Sequence, residues 1–438
     1  MLDKAPLQLN DDFTYALDVL DKTGRSIFIT GRAGTGKSTL LQLFRNTTRK
    51  KTVVLAPTGV AALNVQGQTI HSFFGFPPRI ITPTEASRKV TRKDQQRLYR
   101  NLDILVIDEI SMVRADMLDG INRFLQVNRE NHRPFGGVQV VFFGDLFQLP
   151  PVVTRDPVES AYFQDYYETP YFFSAKVMQE PEFELDMLEL RKVYRQESRH
   201  FLRLLEAIRI NNLDYDDLED LNERWQQDFS ETDGYITLCA RNATAERINR
   251  SELTSLDTPE YEFLADVKGA FDPGLYPTEA ALKLRKGAQV MFVKNDVAEK
   301  QYVNGTIGKI SYLDRDKVVV ETEEEFGKKR RIEVSPADWE IIRYRATATG
   351  EVDTESIGSF KQYPLKLAWA ITIHKSQGKT FDHVLLDLGG GGAFEHGQLY
   401  VALSRCRTLE GIVLRQRIRP QDVITDERVV AFYGEKFR

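Results

Sequence analysis

Gly31-Arg32-Ala33-Gly34-Thr35-Gly36-Lys37-Ser38 sets glycines, a lysine and a hydroxyl in the order G-x-x-x-x-G-K-[ST]. Glycines let backbone N–H groups wrap closely around phosphates, and the start of a helix adds positive potential. Lys37 is long enough to reach the β and γ phosphates, and the Ser38 hydroxyl suits Mg²⁺. The motif follows an apolar, β-branched run at 26–30 and opens a helical pattern, the context this chemistry needs. About 70 residues on, the apolar run 104–107 ends in Asp108-Glu109. Asp108 is suited to hold Mg²⁺ through its water shell, and Glu109 to orient and polarise an attacking water. These residues imply NTP hydrolysis or phosphoryl transfer and nothing narrower, because small-molecule kinases and switch GTPases carry the same loop. A guanine-reading Asn-Lys-x-Asp does not occur; Lys294-Asn295-Asp296 has the wrong order.

Such residues must be positioned by a sheet. The runs 26–30, 52–56, 104–107 and 138–143 read as buried strands separated by helical stretches, which predicts a parallel sheet covered on both faces. Ligand-binding side chains then belong at the carboxyl ends of the strands. From about residue 180 the chain is more charged and helical, and strand-like runs return at 235–239, 365–370 and 384–388, giving a second α/β lobe. Short alternating segments with turns between 293 and 362 predict a small β-rich insertion. No internal repeat of solenoid length is present.

The 438 residues allow roughly two to four domains. No apolar run approaches the roughly 18 residues of a membrane span, so a membrane protein is not expected. Met1 to Asn10 carries neither a secretory nor an organelle-address pattern, which predicts an intracellular chain. Two cysteines, Cys239 and Cys406, and six histidines without metal spacing speak against a disulfide framework or zinc. The net charge of −5 lacks the global basic signature of many nucleic-acid binders, yet a groove needs only local positive potential.

Further blocks follow the loop: Ala56-Pro57-Thr58-Gly59-Val60-Ala61-Ala62, Gly67-Gln68-Thr69-Ile70-His71-Ser72-Phe73-Phe74, Asp108-Glu109-Ile110-Ser111-Met112 and Gly144-Asp145-Leu146-Phe147-Gln148-Leu149-Pro150-Pro151. Leu190-Arg191-Lys192-Val193-Tyr194-Arg195-Gln196, Thr372-Ile373-His374-Lys375-Ser376-Gln377-Gly378 and Tyr400-Val401-Ala402-Leu403-Ser404-Arg405-Cys406-Arg407 continue the order. With these blocks the chain resembles a superfamily-one DNA helicase. Arg114 through Phe135-Gly136-Gly137-Val138-Gln139-Val140-Val141-Phe142-Phe143-Gly144-Asp145 resembles the signature of the petite integration frequency (PIF) helicases, relatives of RecD-like and Dda-like enzymes. The resemblance spans Gly31 to Arg407 and implies a minimal helicase core.

That resemblance implies an α/β fold of two RecA-like P-loop NTPase lobes: lobe one at 1–180 with a wedge insertion around 64–93, and lobe two at 181–292 and 363–438 with an SH3-like insertion at 293–362. It implies that Gly34, Thr35, Gly36, Lys37, Ser38, Thr39 and Gly378 bind ATP, with Mg²⁺ on Ser38 and Asp108. Gln148 becomes a γ-phosphate sensor, and Arg195 and Arg405 become arginine fingers of the second lobe. Gln8 is either an adenine reader or a solvated residue of a frayed terminus. Thr58, Gly59, His71, Ser72 and Phe73 fall on the expected DNA surface of lobe one; His374, Lys375 and Ser376 fall on that of lobe two. Phe73, Phe74 and Phe76 are either base-stacking faces or core. The Pro-rich 67–93 stretch is either a strand-separating wedge or a plain surface loop, and Lys328 to Arg331 either touches DNA or lines a solvated hairpin.

The implied activity is ATP-dependent, 5′ to 3′ movement on single-stranded DNA with unwinding of forked or tailed duplex, and a taste for RNA–DNA hybrids and G-quadruplexes. The alternative is a single-stranded-DNA-stimulated ATPase that remodels protein–DNA complexes without strong unwinding. The expected setting is a monomer in a bacterial or phage-host cytoplasm, with nucleus or mitochondrion also compatible.

Overall fold

The computed structural model describes residues 9–153, 156–196, 198–230, 234–296, 298–323 and 328–436; Gln8 lies outside them. The chain divides into two compact units. The first comprises Met1–Tyr194, Ile341–Ile357 and Asp426–Arg438, and the second Arg195–Glu340 and Gly358–Thr425.

In the first unit, β1 (Ser26–Gly31), β2 (Thr52–Ala56), β3 (Gln68–Thr69), β4 (Ile104–Ile107), β5 (Gln139–Phe143) and β6 (Leu185–Leu190) form one sheet in the order β3-β2-β4-β5-β1-β6. Every pairing is parallel. β1, β4 and β5 are buried along their whole length, as the unbroken apolar runs require when helices cover both faces. One face packs Ile27, Ile29, Val106, Val141 and Phe143 against Phe13, Ala16, Leu40 and Phe44 of the helices Asp11–Lys22 and Lys37–Thr47. Asn10 caps the first of these helices, its side chain accepting from the Phe13 amide at 2.8 Å.

The segment 67–93 is fastened to the helix Ala115–Arg129. Asp116 Oδ2 accepts from the Ile81 amide at 3.2 Å, and Asn128 accepts from the Val90 amide at 2.8 Å while donating to the Arg88 carbonyl at 2.9 Å. Arg114 holds Asp116 through a two-pronged pair at 2.9 and 2.8 Å and reaches Glu159 at 2.7 Å. Two strands, Ala337–Ala346 and Val352–Gln362, lie side by side in a three-stranded sheet with Asp266–Gly269, and their stretch 341–357 belongs to the first unit. There the buried Tyr344 hydroxyl accepts from the Val54 amide of β2 at 3.1 Å, a ladder position that two-residue β3 does not reach.

The second unit carries a parallel sheet in the order Ala370–Thr372, Ile236–Cys239, Val384–Asp387, Ile412–Leu414. A five-stranded sheet in the order Lys329–Val334, Val318–Glu323, Ile307–Leu313, Gln289–Phe292, Leu365–Leu367 is antiparallel throughout. It encloses its own core of Val290, Phe292, Ile310, Val320, Ile332 and Leu365. The β-rich body thus begins before residue 293 and ends after 362. The run 365–370, expected as one strand, is two. The Ala368 amide still bonds Gln289, whereas the Trp369 carbonyl already accepts from Thr237 of the parallel sheet. The short strand-like stretch Leu365-Lys366-Leu367-Ala368-Trp369-Ala370 carries no local mark of such a change of partner. The fold class is α/β, with RecA-like lobes and a β-rich insertion. Among the described residues no helix is long and apolar enough to cross a membrane, and no cluster of three or more His, Cys, Asp or Glu suits a metal ion.

Candidate nucleotide site and nucleic-acid track

β1 delivers the chain into the loop 31–36. Gly31 has φ +150°, and a Cβ there would lie 2.7 Å from the Leu190 carbonyl oxygen and 2.8 Å from Thr35 Oγ1. Gly36 takes a left-handed φ of +87° and caps the helix Lys37–Thr47 without a side-chain hydrogen bond, so no side chain competes for the positive end of that helix. The Lys37 ammonium folds over the loop, donating to the carbonyls of Gly31 at 2.6 Å and Arg32 at 3.1 Å. Thr35 is buried and its hydroxyl donates to the Arg32 carbonyl at 2.9 Å, which makes it a loop brace; Ser38 and Thr39 are exposed in the first helical turn. A glycine cradle with no room for a Cβ, an ammonium beside it and an exposed hydroxyl fit a nucleotide triphosphate with Mg²⁺.

β4, the next strand but one from β1, ends at Asp108, whose amide bonds the Leu55 carbonyl at 2.9 Å. Burial, and next the Glu109 charge, raise the Asp108 carboxyl above its usual range, while the Lys37 ammonium opposes them. Glu109 itself sits at φ +51°, ψ +46°, a left-handed conformation that costs a side-chain-bearing residue free energy. After β5 comes Gln148, buried, its amide donating to Asp145 Oδ2 at 3.3 Å; Asp145 in turn accepts from the Phe147 amide at 3.2 Å. β4, β5 and β1 are neighbours in the sheet, so Asp108, Glu109, Gln148 and the phosphate loop all leave the same edge. Asp145 was not singled out from sequence, although a carboxylate three residues before Gln148 in one turn was the available signal.

In the second unit Arg195 donates to the Ser404 carbonyl at 3.1 Å. Burial first, and then the Arg405 charge, push its guanidinium down to about 9, still protonated at neutral pH. Gln196, also missed, donates to the carbonyls of Ser404 at 3.1 Å and Cys406 at 2.9 Å, fixing the turn that carries Arg405. Arg405 is buried and bonds the Val401 carbonyl at 2.9 Å and the Ser404 hydroxyl at 2.8 Å, so its side chain is held within that turn. Gly378 is exposed with φ +74°.

The expected DNA contacts divide by environment. Ser72 and Lys375 are exposed, and His374 pairs with Glu395 at 3.1 Å. Thr58 caps the helix Gly59–Asn64 through the Ala61 amide at 3.3 Å, and Gly59 opens that helix. His71 is half-buried, its Nδ1 has no hydrogen-bond partner among the described residues, and burial lowers its pKa, keeping it neutral. Phe73 is not an open stacking face. It is buried edge-on to Phe74 at 4.9 Å, Tyr99 at 5.3 Å and Tyr344 at 6.0 Å, and Phe74 and Phe76 are core beside it. Ser376 likewise is fully buried, its hydroxyl donating to the Ile373 carbonyl at 2.6 Å, so that side chain offers a strand nothing.

The pattern of the PIF1-like helicase family matches residues 9–217, and that of the UvrD-like helicase C-terminal domain matches 367–413. The chain is similar to the ATP-dependent DNA helicase PIF1 of Homo sapiens, 34% identical over 98% of this chain; it spans 64% of the length of that relative. It is 32% identical to the ATP-dependent DNA helicase Pif1 of Bdellovibrio bacteriovorus, over 98% of this chain and 92% of that protein. Among solved structures, Bacteroides sp Pif1 in complex with ADP-AlF4 matches with a TM-score of 0.89 at 38% identity, covering 98% of this chain and 97% of that one. The Bacteroides protein bound to single-stranded DNA matches with a TM-score of 0.69, at 38% identity and the same coverage.

Proposed function

We propose that this chain, which belongs to the PIF1-like helicase family, is an ATP-hydrolysing DNA helicase that moves 5′ to 3′ along a single strand and parts the duplex ahead of it. The observation that carries the reading is the shared sheet edge from which the phosphate loop, Asp108-Glu109 and Gln148 project. Loop amides and Lys37 hold the triphosphate; Glu109 orients the attacking water; Gln148 reads the terminal phosphoryl group. When bound, Mg²⁺ on Ser38 and Asp108 would offset charge developing on the phosphates. Arg195 and Arg405 supply guanidinium charge to the same step, and Gln196 keeps the Arg405 turn in place.

Thr58, Gly59, His71, Ser72, His374 and Lys375 form the strand-binding track, with the 67–93 segment as the wedge. Its fastening to the helix Ala115–Arg129 through Asp116 and Asn128 supports a load-bearing part. The substrates in this reading are tailed and forked duplex, RNA–DNA hybrids and G-quadruplexes, met by a monomer inside the cell. The Bacteroides complex with single-stranded DNA supports the choice of ligand.

The test is ATP hydrolysis with and without single-stranded DNA, beside unwinding of duplexes bearing either a 5′ or a 3′ tail, with Glu109→Gln as the inactive control. Stimulated hydrolysis and unwinding from the 5′ tail alone are expected. Hydrolysis indifferent to DNA would refute the helicase reading, and stimulation without unwinding would leave a translocase that remodels protein–DNA complexes.

A further inference from the structure

The helix Glu427–Lys436 packs within the first unit, against residues remote from it in sequence. Val429, Phe432 and Tyr433 fall at i, i+3 and i+4, one face of the helix, and Val429 is fully buried. Phe432 stacks on Phe173, with ring centroids 4.4 Å apart and planes 9° apart. Just before the helix starts, Asp426 Oδ2 accepts from the Tyr171 hydroxyl at 3.1 Å. Phe172, between Tyr171 and Phe173, packs against Phe28 of β1 and Phe142 of β5, each at 5.5 Å. Strand alternation puts those two rings on the face opposite Ile27, Ile29 and Val141, so the helix is fastened to the second face of the parallel sheet.

Tyr433 meets the turn that carries Gln148. Its ring centroid lies 5.2 Å from that of Phe147, with the planes at 73°, an edge-on contact. Phe147 is only 1% exposed, and its amide donates to Asp145 Oδ1 at 3.2 Å. The other oxygen of that carboxylate accepts from the Gln148 side chain at 3.3 Å. In close packing, a shift of the Phe147 ring carries its backbone amide along, and with it the carboxylate that orients Gln148. Deleting the Tyr433 ring opens a space beside Phe147 into which that ring can relax.

We infer that Tyr433 is a positioning residue for ATP hydrolysis, holding Gln148 in its reading orientation through Phe147 and Asp145. The inference rests on the proposed role of Gln148 as sensor of the terminal phosphoryl group. Tyr433 acts on the chemical step and not on nucleotide binding, because the loop that wraps the phosphates is built from other residues. Asp426, Val429 and Phe432 seat the helix without Tyr433, so its ring can be removed while the helix stays in place.

The experiment measures ATP hydrolysis with oligo-dT, and affinity for a fluorescent ATP analogue, in the full chain. It compares the unaltered protein with Tyr433→Ala, Tyr433→Phe, Gln148→Ala and a variant carrying both Tyr433→Ala and Gln148→Ala. Tyr433→Ala is expected to lower kcat about fivefold while analogue affinity stays within about twofold, as the loss of an interaction made only in the transition state requires. Tyr433→Phe keeps the ring and should restore most of the rate. On the Gln148→Ala background Tyr433→Ala should cost nothing further, since both act through one side chain. An unchanged kcat, a parallel loss of affinity, or the full loss repeated on the Gln148→Ala background overturns the inference while leaving the helicase reading intact. Undiminished kcat in Gln148→Ala overturns the sensor role, and the inference with it. Thermal melting checks each fold, and Tyr433→Leu carries the test if Tyr433→Ala does not fold.

Discussion

The Gln148 amide donates to the Asp145 carboxylate at 3.3 Å, both buried, so the orientation of the glutamine is set by its neighbour three residues back. The backbone fixes that neighbour in turn, through the Phe147 amide on Oδ1 and the Gln148 amide on the Asp145 carbonyl. Asp145→Asn keeps the size but sets an N–H₂ against the Gln148 N–H₂, which turns the glutamine over and presents its wrong end. DNA-stimulated kcat is expected to fall about tenfold, about 1.4 kcal/mol of transition-state stabilisation. Nucleotide affinity, measured by analogue titration, should hold, and a parallel fall in both would show a damaged pocket instead.

Tyr344→Phe removes one hydroxyl and leaves the Val54 amide of β2 buried without its 3.1 Å partner. An orphaned buried donor costs about 1–3 kcal/mol. Denaturant unfolding of the full chain, followed by a probe in the first unit, should show a lower midpoint. No shift would mean that water reaches this slot.

Ser376→Ala and Lys375→Ala should part company. The Ser376 hydroxyl is buried on the Ile373 carbonyl, so its loss should cost about 1 kcal/mol of stability and leave oligo-dT affinity within about twofold. Lys375 is exposed, so its loss should weaken binding in a salt-dependent way with little effect on melting temperature.

Lys379 gives a pH signature. Burial depresses its folded pKa to about 8, below the 10.5 of an ordinary lysine. Between those values the unfolded chain binds more protons than the folded one, so this residue makes stability rise with pH there. The groups around it are Asn304 on the 303–306 turn, Lys366 on its strand, Lys375 on the preceding turn and the Arg405 guanidinium at its carbonyl, 3.5 Å away. Lys379→Met should flatten the rise in melting temperature from about pH 8 to 10.

The phosphate loop and Asp108-Glu109 were legible in the sequence because few residue types can wrap a phosphate or polarise a water, and their spacing follows from one strand each. Phe73 and Ser376 were not. A phenylalanine or a serine suits a base, a phosphate or a core equally well, and what decided both was packing: Tyr99 and Tyr344 against Phe73, the Ile373 carbonyl against Ser376. The strands 26–31, 52–56 and 104–107 were read almost to the residue, since burial on both faces leaves unbroken apolar runs. The division of 365–370 was invisible because which sheet a backbone amide or carbonyl joins, Gln289 for Ala368 and Thr237 for Trp369, leaves no local pattern. Tyr344 escaped notice because its partner is a backbone amide 290 residues away, which no local pattern encodes.

Glu109 holds its carboxylate on a backbone that glycine would adopt at no steric expense. Glycine at this position would relieve roughly 1 kcal/mol of strain and remove the carboxylate proposed to aim the water. In the proposed reading, resistance to unfolding and turnover therefore pull in opposite directions here, and screening variants for heat tolerance alone would select against the proposed activity.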